Sequence, residues 1–128
     1  MLNKTCIQVA EVFQTNGIIS QVFVTCTSGY PLELIAKINP SITPVLEIIN
    51  IQAYLESPFR YPYIIVGFTK LVKDETKILR AMGTKIITFT PNSATEYKIA
   101  IENGCYAIMT DNPNLLNDYI SKTIEDNN

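Results

Sequence analysis

Short β-branched or aromatic runs alternate with amphipathic stretches along the whole chain, at intervals of about 20 residues. That alternation constrains the fold more than any other feature of the sequence. The segment from about Asn3 to Thr15 sets Ile7, Val9, Ala10, Val12 and Phe13 at helical spacing and closes on Asn16-Gly17. QVFVTC, residues 21–26, reads as a buried strand. Tyr30 to Ile38 predicts a helix with Pro31 near its start and Asn39-Pro40 as its stop. TPVLEI (43–48) is a second strand, residues 50–56 a short helix, and SPFRYP a loop by its prolines. YIIVGF (63–68) is a third strand, Leu71 to Met82 an amphipathic helix ended by Gly83, and KIITFT (85–90) a fourth strand.

The last third is the most legible. Ser93-Ala94-Thr95-Glu96 fits a capping box, in which hydroxyl and carboxylate each satisfy an orphan amide of a helix running to Asn103 and ending at Gly104. Cys105 to Met109 is a fifth strand. Asn112-Pro113 then supplies an N-cap and a first-position proline for a final helix through about Glu125. Strands alternating with helices imply right-handed crossovers and a parallel sheet. The strands are continuous apolar runs, as expected where both sheet faces are covered. With 128 residues, residues 1–128 read as a single α/β unit. Five strands fit an open doubly wound sheet or part of an eight-stranded barrel, and periodicity does not choose between them.

Composition narrows the function classes. Hydrophobic residues make up 47% of the chain and charged residues 17%, so a packed core is available. The 12 acidic and 10 basic residues leave a formal charge of −2, which argues against nucleic acid as a partner. No run approaches the roughly 20 apolar residues that span a bilayer, and MLNKTCIQVAEVF lacks the form of a secretory signal. A cytoplasmic location is the default expectation. Cys6, Cys26 and Cys105 are widely spaced without a C-x-x-C pair, and read as small buried hydrophobes. The sequence has no histidine. Ser–His and Cys–His nucleophiles, histidine metal sites and imidazole acid–base chemistry are therefore excluded for this chain alone.

In either architecture ligands sit at the carboxyl ends of the strands. The candidates there are Thr25 to Ser28, Glu47, Thr69 and Lys70, Phe89, Thr90 to Asn92, and Thr110 to Asn112. Threonine, asparagine and aspartate at such places most often cap the following turn, and Asp111 fits that plainer role. Glu47 lies in a strongly apolar strand. It either faces inward and needs a partner such as Lys70 or a metal, or sits at the strand end in solvent. Glu47 and Asp111 are the only strand-end acids, too few for a complete metal site. Neither a G-x-x-x-x-G-K-[ST] phosphate loop nor a G-x-G-x-x-G after a strand is present.

LVKDETKILRAMGTKIITFTPNSATEYKIAIENGCYAIMTDNPNLL, residues 71–116, resembles the end of a glycerophosphodiester phosphodiesterase. That family closes with a helix ending in Gly, a V-x-x-W-T-V-N strand, a helix, and G-V-D-G-I-I-T-D-x-P-x-x-L. The matching stretches are KIITFTPN and GCYAIMTDNPNLL. VAEVFQTNGIISQVFVTCTSGYPLELIAKINPSITPVLEI is similar to the family's middle, so the resemblance covers most of residues 6–117.

The resemblance implies a partial (β/α)8 TIM barrel of about five parallel strands alternating with helices. It implies hydrolysis of glycerophosphodiesters to glycerol 3-phosphate and an alcohol, in lipid metabolism, with a divalent cation such as Mg or Ca. The family's H-R-G opening, E-x-D strand, H-D motif and E-x-K strand have no counterpart here. The expectation is a chain with no catalytic or metal-binding residue of its own, inactive alone and carrying only a wall of the substrate pocket. Phe89 stands where the family has a pocket tryptophan, Cys26-Thr27 replaces its Ser-Phe, and Thr110 and Asp111 match. With Glu47, Lys70 and Asn92 these form the expected wall. Five strands cannot close an eight-stranded barrel, so self-association or a complementing barrel half is expected. The alternative is a non-enzymatic module that binds a protein partner, or a phosphorylated small molecule at Thr90 to Asn92 and the helix start near Ser93.

Overall fold

The computed structural model describes residues 2–128, with side-chain burial described from Lys4 onward. One sheet holds β1 (Phe23–Cys26), β2 (Thr43–Glu47), β3 (Tyr63–Gly67), β4 (Lys85–Phe89) and β5 (Ala107–Met109), in sequential order. Every neighbouring pair is parallel: Phe23 lies opposite Thr43, Glu47 opposite Ile65, Ile65 opposite Ile87, and Ile87 opposite Ala107. The helices are α1 (Leu2–Thr15), α2 (Gly29–Ile38), α3 (Ile51–Glu56), α4 (Lys73–Ala81), α5 (Ala94–Glu102) and α6 (Pro113–Asp126). A doubly wound sheet reverses its strand order at a switch point. This sheet never reverses, and it curls into part of a (β/α) barrel.

Local chemistry explains the boundaries. Gly83 and Gly104 adopt φ of +81° and +70°, which costs a residue with a Cβ. Each lets the next amide reach back five residues, Thr84 N–H to Leu79 O at 3.0 Å and Cys105 N–H to Ala100 O at 3.1 Å, closing α4 and α5. The Asn50 and Asn112 side chains accept from Ala53 and Leu115 amides at 2.8 and 3.1 Å, starting α3 and α6. The capping box is displaced by one residue. Ser93 Oγ accepts from Glu96 N–H as expected, but the Glu96 carboxylate accepts from Asn92 N–H at 2.6 Å. A second departure is at the end of β3. The strand stops at Gly67, Phe68–Lys70 make a single 3-10 turn, and α4 begins at Lys73 rather than Leu71.

The two sheet faces differ. On one, Ile64, Val66 and Ile86 pack with Ile51 and Tyr54 of α3 and Leu79 of α4. Cys6, Ala10, Ile35 and Ile42 continue that helix-covered side toward β1. The other face is built from strand residues alone: Val45, Ile65 and Ile87, with Tyr63, Phe89 and Ala107 around them. The continuous apolar runs therefore do not reflect helices on both faces. Val45, Ile65 and Ile87 are at most 5% exposed, whereas Phe23 on β1 and Met109 on β5 are 47% and 53% exposed. Curling of the sheet shields its middle and leaves both edges open.

Candidate functional site

The carboxyl ends of the strands carry a cleft of about 350 Å³ lined by Glu47, Lys70, Phe89, Thr27, Thr69 and the backbone of Gly67. Glu47 is the last residue of β2 and lies two positions after Val45, so alternation sets it on the same helix-free face. It points inward, half-buried. Lys70 reaches the cleft from the 3-10 turn and Phe89 from the end of β4. Thus three of the six expected wall residues share one concavity. Among the described residues neither Glu47 nor Lys70 has an ion-pair or hydrogen-bond partner, so the inward carboxylate has not found the ammonium within bonding distance. Both charges stay available to a ligand.

Asn92, Thr110 and Asp111 are brought together elsewhere, in a knot joining the β4–α5 and β5–α6 turns. The Asn92 amide donates to Asp111 Oδ2 at 2.8 Å. Its carbonyl oxygen accepts from Thr110 Oγ1 and from Asp111 N–H, both at 2.9 Å. Thr110 Oγ1 also lies 3.0 Å from the hydroxyl of the fully buried Tyr97 and accepts from Asn112 N–H at 3.1 Å. The Asp111 carboxylate is thus engaged by the Asn92 side chain rather than by the amides of the following turn, and the cap of α6 falls to Asn112.

The cation implied by the resemblance can be tested against the donors. Glu47 is the only carboxylate lining the cleft. Among the described residues no three His, Cys, Asp or Glu side chains converge as metal ligands. One carboxylate beside an ammonium does not fit a divalent ion, which wants six or more oxygens. Tyr97 was missed by sequence reasoning. Its place four residues after Ser93, on the buried side of α5, is the signal that locates it.

A second cleft, of about 510 Å³, opens beside the first, and Thr27 lines both. Its walls include Tyr30 and Glu33 of α2, and Phe59 and Tyr61 of the loop between α3 and β3. The prolines of SPFRYP mark the loop in the sequence, and its two aromatics are the residues that pack in the fold. Tyr61 N–H donates to Tyr54 Oη at 2.7 Å, and Tyr61 Oη donates to Gly29 O at 3.4 Å. A Cβ on Gly29 would lie 2.6 Å from that hydroxyl, so glycine there admits the ring. Burial, then the Glu33 carboxylate and Tyr54, push the Tyr61 hydroxyl above its ordinary pKa.

No helix among the described residues is long and apolar enough to cross a membrane. No protein-family model matches the sequence, and no curated protein matches it. Solved structures do. A protein of Silicibacter pomeroyi, described as a glycerophosphoryl diester phosphodiesterase, superposes with a TM-score of 0.82 at 11% identity, over 95% of this chain and 45% of its own. A phosphodiesterase of Oleispira antarctica, solved with its product sn-glycerol-3-phosphate, gives 0.77 at 17% identity, over 94% of this chain and 50% of its own. A glycerophosphodiester phosphodiesterase of Parabacteroides distasonis gives 0.72 at 12%, over 94% and 54%. The chain has the fold of these phosphodiesterase barrels and spans about half their length.

Proposed function

We propose that this chain forms the C-terminal wall of a glycerophosphodiester phosphodiesterase barrel and is inactive by itself. The observation that carries the reading is a five-strand sequential arc with a helix-free concave face, matched over about half the length of phosphodiesterase barrels. Hydrolysis of a phosphodiester needs a proton donor for the leaving alcohol and concentrated positive charge at the phosphoryl oxygens. Lys70 offers an ammonium and Phe89 an apolar surface for the glycerol carbons, and Glu47 orients hydroxyls. The cleft holds one carboxylate and no imidazole, so it lacks the paired acid and base that the cleavage needs.

The missing acids, imidazoles and cation come, in this reading, from a complementing barrel half, because a second copy of a chain without histidine could cover the open edges but not supply imidazoles. The rival reading, an anion-binding module at the start of α5, has fewer free amides to use. Glu96 already occupies Asn92 N–H and Ser93 already occupies Glu96 N–H. The pure chain is expected to leave glycerophosphocholine intact with magnesium or calcium. A tagged copy recovered from its native cells should carry along a polypeptide with the H-R-G and E-x-K segments. Hydrolysis by the pure chain would overturn the reading.

A further inference from the structure

The second cleft brings together three aromatic side chains, Tyr30, Phe59 and Tyr61, and one carboxylate, Glu33. Tyr30 and Phe59 are 62% and 55% exposed, so both rings are open to a ligand in the cleft. Tyr61 is held by hydrogen bonds at both its amide and its hydroxyl, so its ring is fixed before any ligand arrives. Among the described residues Glu33 has no cationic partner. Aromatic faces carry negative potential, and a nearby carboxylate adds to it. A soft, weakly hydrated cation gains most from such a site, because it loses little water on entering. Lysine-like or metal cations lose more hydration than three ring faces return.

We propose that this cleft binds a quaternary ammonium group, held by the faces of Tyr30, Phe59 and Tyr61 with Glu33 as counter-charge. A volume of about 510 Å³ accommodates a trimethylammonium head with room for its two-carbon arm. The first and second clefts meet at Thr27. Resting on the phosphodiesterase reading, the site then names the alcohol side of the diester. A phosphate and glycerol at Lys70 and Phe89 would carry a choline-type alcohol toward Tyr30.

The test uses the intact chain and needs no diester. Choline chloride is titrated by calorimetry and by two-dimensional NMR, with 3,3-dimethyl-1-butanol as the uncharged carbon analogue. Choline is expected to saturate and to shift resonances of residues 27–33 and 59–61, and the carbon analogue to bind several-fold more weakly. Tyr30→Ala and Phe59→Ala should each weaken choline about three- to fivefold, Glu33→Gln should weaken it and flatten its salt dependence, and Tyr30→Phe should restore the ring and the affinity. Circular dichroism on each variant separates lost binding from lost fold. Absence of saturation by choline, equal binding of the uncharged analogue, or undiminished binding by Tyr30→Ala overturns the proposal. A failed search for diester hydrolysis in the completed barrel would sink the phosphodiesterase reading and leave this titration result standing.

Discussion

Cys105 shows at the residue scale how position overrides type. It sits just after the α5 cap and packs against the helix-side core. Burial pushes its thiol from 9.0 up to about 11, with the neighbouring Arg80 guanidinium pulling partly the other way. Arg80 lies where a Cβ on Gly104 would stand, so glycine there serves both the cap and the arginine. The raised pKa means that between pH 9 and 11 the folded chain binds a proton that the unfolded chain has released. Stability from this group is whole below pH 9 and is lost as pH rises toward 11. Urea midpoints of wild type and Cys105→Ala are expected to converge over that range, by an amount on the order of 1 kcal/mol. A pH-independent gap would show that the thiol does not titrate late. Tyr61, raised in the same direction, is present in both proteins and cancels in the difference.

At the scale of elements the knot around Asn92 is the informative feature. One side chain ties the turn after β4 to the turn after β5 through three hydrogen bonds, while Asn112 caps α6 next door. Asn92→Ala is expected to cost about 1 kcal/mol, since hydrogen bonds at an exposed turn are exchanged for bonds to water. Asn112→Ala should cost about 1 kcal/mol as a lost cap. Because Asn92 and Asp111 share a bond, the double change Asn92→Ala with Asp111→Ala should destabilise less than the two single changes added together. Additive losses in denaturant melts would mean that the contact contributes nothing. The T-D-N-P pattern marked this turn in the sequence. Its partner Asn92 lies 19 residues upstream, and no local pattern links the two.

For the whole molecule, the open edges dominate. β1 and β5 each have one neighbour only, and Phe23 and Met109 stand exposed on the face that a closed barrel would bury. Near Phe23 the rim gathers Tyr63, Tyr106 and Lys85, whose ammonium sits 5.2 and 5.0 Å from the two tyrosine ring centres. Unpaired strand edges with apolar flanks favour association. Light scattering at micromolar concentration is expected to give a mass above that of one chain, and Phe23→Lys with Met109→Lys to return it toward the monomer. A monodisperse monomer of the unaltered chain would count against assembly through these edges.

The sequence by itself determined the elements and the residues that end them. Apolar runs, Asn-Pro starts and Gly stops act over a few neighbouring residues, where backbone sterics and capping bonds decide. The family likeness was legible for a similar reason, being carried by turn residues such as those of TDNPNLL. Tertiary structure alone decided the sequential strand order, the helix-free concave face and the inward aim of Glu47. It also divided the expected wall, setting Glu47, Lys70 and Phe89 in one cleft and tying Asn92, Thr110 and Asp111 into a knot. Those outcomes depend on which distant strands pair and how the sheet curls. Such long-range packing energies are summed over the whole chain and are invisible in any short window of it.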